Sequence, residues 1–141
     1  MDKTISNIFF NTRDELTKVC LDDVMYVTSD GNYITLNYKS GRSSTLLASL
    51  QNFIQATEYM GGHHFERIGK SHVVNIAYIS QINTLRKTIV LVDDDMNERV
   101  EIVVSKEAIR ALKATMMDCP KTVISNFKTS NGNMEAFLLV K

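Results

Sequence analysis

The sequence has little cysteine, almost no proline, no tryptophan and no excess of charge of either sign. Its two cysteines, Cys20 and Cys119, are far apart and form no paired motif, which predicts reduced thiols in a cytoplasmic protein. No run of about 18 apolar residues is present, so we expect no membrane span. The first residues lack the basic and then apolar pattern of a signal peptide.

The charges balance, with 16 Lys and Arg against 16 Asp and Glu. This neutrality gives no support to nucleic-acid binding, so any such function must come from local charge separation. Enzyme motifs are also missing. His63, His64 and His72 have no cysteine or carboxylate at metal-ligand spacing. Neither a nucleophile elbow nor a phosphate-binding glycine loop is found. The sequence therefore predicts a protein without catalytic activity, metal or cofactor.

The first half of the chain has the pattern of short strands joined by tight turns. The strongest turn signals are Asp30-Gly31-Asn32 and residues 39–42. One strand is predicted before and one after a turn at 11–15. Three more strands are predicted at 25–28, 33–38 and 43–47. Ser49 then predicts a helix cap, with Leu50, Phe53, Ile54 and Thr57 on one face and Gly61-Gly62 at the end.

Strands return in the second half, at 80–85, 88–92 and 99–104, with residues 93–97 as a solvated hairpin tip. Ser105 predicts the cap of a second helix, which carries Ile109, Leu112 and Met116 and ends before Pro120. Residues 121–141 have two interpretations: two strands around Asn131-Gly132, or a mobile tail. Because strands and helices do not alternate, we expect a mainly β, antiparallel domain with one or two short helices.

One stretch, residues 65–79, combines cations with anchoring apolar residues. Arg67 and Lys70 stand beside Gly69, and the apolar run around Val73 follows at once. Four cations and no carboxylate occur between Arg67 and Lys87. That local excess is what phosphate contact requires, and it favours a binding edge over a catalytic centre.

The chain resembles the LytTR (LytR/AlgR-type) DNA-binding domain, the output module of many bacterial response regulators. The resemblance rests on residues 21–27 and 31–34, the helix from Ser49, residues 79–82 and 103–106, and above all the array Phe-x-Arg-x-x-x-Ser-x-x-Val-Asn at 65–75. Together these cover roughly residues 7–116. Too few residues come before the first match for a receiver domain, so the chain is expected to be either free-standing or an excised domain.

The resemblance implies an elongated β-β-β sandwich whose loops enter successive major grooves of double-stranded DNA, on paired direct repeats as a homodimer. Carried over residue by residue, the DNA-binding positions are Asn32 and Tyr33 in a first loop, Arg67, Lys70 and Ser71 in a second, and Lys106 in a third. Residues 1–118 would form this domain and residues 119–141 a C-terminal extension.

The chemistry of these residues leaves alternatives open. Arg67 can read guanine and Asn32 adenine, while Lys70 and Lys106 suit phosphate. Each is also an ordinary surface residue, and Tyr33 in its strand fits packing equally well. Asn75 is expected to satisfy backbone donors at the turn that it opens. The rival function is a protein-interaction module that modulates a related regulatory protein, using the apolar segment 134–140 as an added strand.

Overall fold

The computed structural model describes residues 7–58, 65–95 and 98–118, together with the backbone of residues 123–130 and 133–140. The chain divides into two units, Met1–Ile109 and Arg110–Lys141. No helix among the described residues is long and apolar enough to cross a membrane. Several sequence predictions fall outside the described residues: those for Gly61-Gly62, His63, His64, Asn97, Cys119, Pro120 and Asn131-Gly132.

The described residues are mainly strands, which confirms the predicted fold class. The strands are β1 (Asn7–Asn11), β2 (Leu16–Cys20), β3 (Val24–Asp30), β4 (Tyr33–Tyr38), β5 (Ser43–Leu46), β6 (Phe65–Ile68), β7 (His72–Asn75), β8 (Ile79–Asn83), β9 (Thr88–Val92), β10 (Arg99–Val103), β11 (Val123–Ser130) and β12 (Asn133–Val140). The helices are α1 (Leu50–Glu58) and α2 (Lys106–Met117). Short 3-10 turns at Leu21–Asp23 and Ile76–Tyr78 lead into β3 and β8.

All strand pairs are antiparallel. In the first unit, β1 pairs with β2, a five-stranded sheet has the order β5-β4-β3-β7-β6, and a three-stranded sheet has the order β10-β9-β8. In the second unit, β11 and β12 form a hairpin with Val123 opposite Val140. Most paired strands follow each other in the chain and are joined by a loop of a few residues. Such short loops explain the antiparallel arrangement, since parallel strands need long crossovers.

The core of the first unit is centred on the ring of Phe53 from α1. This ring is fully buried and stacks on Phe10 of β1 with 5.7 Å between ring centroids. It also meets Phe65 of β6 edge-on at 5.1 Å. The helix therefore joins the β1–β2 hairpin to the five-stranded sheet through three aromatic rings. Stacked and edge-on ring pairs of this kind stabilise the core beyond the contribution of the surface area that the rings bury.

Turn and cap chemistry agrees with the sequence. Gly31 and Gly41 adopt positive φ angles of 64° and 82°, which favour glycine. The Ser49 hydroxyl accepts from the Asn52 amide at 3.0 Å, and the Asn52 side chain accepts in return from the Ser49 amide at 3.1 Å. Ser105 caps α2 by accepting from the Ala108 amide at 3.1 Å.

Two predictions about the second half of the chain were wrong. Leu85 was expected in a strand, but β8 ends at Asn83 because its side-chain oxygen accepts the Arg86 amide at 2.8 Å and closes a turn. Asp93 was expected at a solvated tip, but it is buried, and its amide donates to the Glu98 carbonyl at 3.2 Å. Asp94 and Asp95 are exposed, as the prediction required.

Asn75 holds β7 against β3. It is buried, its side-chain amide donates to the Val24 carbonyl at 3.0 Å, and its side-chain oxygen accepts from the Ala77 amide at 3.0 Å. The predicted structural role is therefore confirmed, and it extends to a bond across 51 residues of sequence.

We expect Asn75→Ala to lower the free energy of unfolding by about 2–4 kcal/mol, because it leaves the Val24 carbonyl and the Ala77 amide without their partner. Urea denaturation measures this loss. The control Gln51→Ala, on the exposed face of α1, should stay within about 0.5 kcal/mol of the wild type. Equal stability of the two variants would contradict the proposed role of Asn75.

Candidate functional site

Two turns meet at one end of the five-stranded sheet because of strand register. Thr28 of β3 lies opposite His72 of β7, so the β3–β4 turn and the β6–β7 turn leave the same end. The Ser29 amide donates to the Ser71 carbonyl at 3.0 Å and fixes the two turns to each other. The first two predicted loops, distant in sequence, are therefore neighbours.

The β10–α2 junction joins this end through a cleft of about 430 Å³. One wall is the β6–β7 turn with Gly69, Lys70 and Ser71, and the other includes Val104 and Ser105. We call residues 31–33, 69–71 and 104–106 the loop cluster. All six sequence-predicted site residues lie in the loop cluster or, for Arg67, on the strand that enters it. Among the described residues, no backbone hydrogen bond joins the first loop to the third.

The six side chains are exposed at this end. Arg67 is held in place, since its Nη2 donates to the Lys70 carbonyl at 3.3 Å while its other N–H groups stay available. Tyr33 exposes 49% of its surface, so about half of this side chain is available for contact with a ligand. Gly69 has a φ of 66°, which turns the chain tightly between Arg67 and Lys70.

Among the described residues, no carboxylate forms an ion pair with Arg67, Lys70 or Lys106. Within the described residues, ion pairs join Arg13 to Asp14, Lys39 to Asp23 and Asp94, and Arg99 to Glu101. None of these pairs includes Arg67, Lys70 or Lys106. Their charges are therefore available to an anion from solution.

The sequence did not indicate that Val103 and Ala108 take part in this cleft. Val103 was interpreted as a strand residue and as part of the family resemblance, and not as a site residue, yet it exposes 72% of its surface at the end of β10. The alternation of side chains along β10 was the available signal, because it places Val103 on the face opposite the buried Ile102.

Residues 7–58, 65–95 and 98–118 contain no group of three or more His, Cys, Asp or Glu that could hold a metal ion.

His72 also lines the cleft, next to Ser71. It is half-buried, and this burial lowers its pKa below the ordinary value of 6.5 because the charged ring loses hydration. The ring is therefore expected to be neutral at physiological pH, and it adds no charge to the loop cluster.

Comparison with known proteins gives a consistent picture. Residues 14–117 match the family model of the LytTr DNA-binding domain. A solved structure described as the LytTr DNA-binding domain of a methyl-accepting/DNA response regulator from Bacillus cereus is also similar. The two share 26% identity and a TM-score of 0.54, over 79% of this chain and 97% of that one. The comparison with curated proteins gave no match.

We expect His72→Gln to reduce the acid sensitivity of the fold. A folded-state pKa below 6.5 means that the unfolded chain binds more protons, so stability falls as the pH drops through 6.5 toward the lowered value. Urea denaturation at about pH 8 and about pH 5 should show a larger loss for the wild type than for the variant. His63 and His64 are present in both the wild type and the variant, so their contributions to the pH dependence cancel in the comparison. An identical loss in both would contradict the assignment to His72.

Proposed function

Because the chain belongs to the LytTr DNA-binding domain family, we propose that it is a bacterial transcription regulator that recognises a specific sequence in double-stranded DNA. The observation that carries this proposal is the proximity of three exposed loops: two leave the same end of the five-stranded sheet, and the third faces the second across a cleft. Their cations form no ion pair within the part of the chain that the structure describes. The protein acts in the cytoplasm, and two copies occupy paired direct repeats as a homodimer on DNA. Residues 1–118 bind DNA, and residues 119–141 form an extension.

Phosphate contacts supply most of the affinity in this proposal. Lys70 and Lys106 are exposed and, among the described residues, form no ion pair, so each can bind a phosphate without first breaking an internal pair. The Ser71 hydroxyl adds a neutral donor beside Lys70. These contacts set the position of the protein on the duplex but carry no sequence information themselves.

Base reading falls to Arg67 and Asn32. The guanidinium of Arg67 is oriented by its bond to the Lys70 carbonyl, and its remaining donors can form a bidentate contact with guanine. Asn32 projects from the tight β3–β4 turn and can form the equivalent contact with adenine. The exposed ring of Tyr33 lies beside it and can cover a sugar or a base. Insertion of these loops into the major groove is the mechanism that we propose.

Net neutrality does not by itself oppose DNA binding, because some carboxylates lie far from the loop cluster, while Asp30 and Glu107 adjoin it in sequence and Glu66 precedes Arg67. Lys39, in the turn after β4, pairs with Asp23 at 3.4 Å and Asp94 at 3.6 Å. The six residues of β4, at about 3.3 Å each, put this turn roughly 17–20 Å from Tyr33. That distance exceeds the Debye length of about 8 Å at physiological salt. Asp23 and Asp94 therefore hardly weaken the field at the loop cluster.

The alternative function concerns the second unit. Its sheet contains only β11 and β12, so each strand has an edge to which no other described strand is paired. An edge of this kind can accept a strand from a regulatory protein partner. In this alternative, the chain modulates a related regulator, and its association would not weaken steeply with salt.

Selection from a random duplex pool tests the main proposal. The wild type should enrich one motif, and its affinity should fall steeply with salt. We expect Arg67→Ala combined with Lys70→Ala to lower affinity about 10- to 100-fold and to flatten the salt slope by roughly 1–2 units, because one base contact and one or two phosphate contacts are lost.

The matched control is Lys18→Ala combined with Arg42→Ala. It also removes two exposed cations, but these line a cleft next to Asp23 and Tyr38, at the opposite end of the sheet. Motif, affinity and salt slope should stay unchanged. If the wild type enriches no motif at low salt, the DNA proposal is wrong. Equal losses in both double variants would instead argue against the loop cluster as the interface.

A further inference from the structure

The β8–β9 turn, residues 84–87, lies next to the third loop of the cluster. Thr88 of β9 is opposite both Asn83 of β8 and Val103 of β10, so the turn leaves the sheet where β10 ends. The Lys87 carbonyl accepts the Val104 amide at 2.9 Å. The turn is thus bonded directly to the segment that leads into Ser105 and Lys106.

This turn has a defined conformation. The Asn83 side chain accepts the Arg86 amide at 2.8 Å, and Lys87 adopts a positive φ of 58°. Lys87 is the non-glycine residue with positive φ in the part of the chain that the structure describes. A fixed turn loses less conformational freedom on binding than a mobile loop, which favours a role in recognition.

The side chains of the turn suit a nucleic-acid backbone. Arg86 and Lys87 are exposed, and neither belongs to the ion pairs found among the described residues. Leu85 stands before them with 89% of its surface exposed. An apolar side chain so fully in water, beside two unpaired cations, matches a ligand that offers anionic and apolar surface together, as the phosphate and deoxyribose of DNA do.

We propose that the β8–β9 turn is a fourth DNA-contacting loop, in which Arg86 and Lys87 bind backbone phosphates and Leu85 packs on a deoxyribose. The proposal rests on the proposed function. The turn contributes affinity and position but no sequence preference, because phosphates and sugars are common to all sequences. It adds to the interface a second loop from the three-stranded sheet, beside the third loop.

The test measures binding to the selected duplex and to a scrambled duplex across a salt series. Arg86→Ala and Lys87→Gly should each flatten the salt slope by about 1 unit and weaken both duplexes by the same factor. Glycine is chosen at position 87 because it accepts the positive φ. Leu85→Ser should weaken binding several-fold without changing the salt slope. Lys18→Ala is the control, and circular dichroism checks the fold of each variant.

Three results would overturn this inference. If Arg86→Ala and Lys87→Gly bind like the wild type while Arg67→Ala with Lys70→Ala does not, the fourth loop is wrong and the proposed function stands. If Arg86→Ala changes the preferred motif at an unchanged salt slope, its phosphate contact is wrong. If the wild type binds no duplex, both proposals fail together.

Discussion

The pairing of β3 with β7 is the constraint on which the candidate site depends. Val27 and Val73 face each other across this pair and are both fully buried. A slip of one residue would turn both valines to the other face of the sheet, which makes the register costly to change. Asn75 holds one end of the pair through the Val24 carbonyl, and the Ser29–Ser71 backbone bond holds the other. The second loop is therefore placed beside the first by core packing.

The β3–β7 pair also positions the three-stranded sheet. After β7, the chain makes the 3-10 turn Ile76–Tyr78 and enters β8 directly. The Tyr78 hydroxyl donates to the Asp22 carbonyl, which ties this turn to the start of β3. From β8, two hairpin connections are enough to bring Val104 and Ser105 against the β6–β7 turn. The third loop thus reaches the cluster through short connections. Its position relative to the first two loops depends on the β3–β7 pair and on the bond from Tyr78 to Asp22.

Local chemistry made much of the fold predictable from sequence, and the assembled site less so. Ser49, Ser105 and Gly31 indicated caps and a turn through interactions with near neighbours. The cleft between Lys70 and Ser105 had no local signal, because it arises from pairings between distant strands. Family resemblance named these loops without giving their geometry. The turn around Leu85 was missed because its apolar residue suggested a strand, while the decisive bond came from the Asn83 side chain.

Backbone conformation separates two kinds of turn at this end of the molecule. Gly31 and Gly69 have positive φ, and a Cβ built on either would meet no atom within 4 Å. Conformation and not packing therefore favours glycine there. Lys87 adopts a similar φ with a side chain, at a cost of about 1–2 kcal/mol relative to glycine. A residue that lowers stability in this way is expected where the side chain serves binding. At Lys87 that side chain carries a positive charge that forms no ion pair with any described residue, next to the third loop, so the strained position and the proposed phosphate contact coincide.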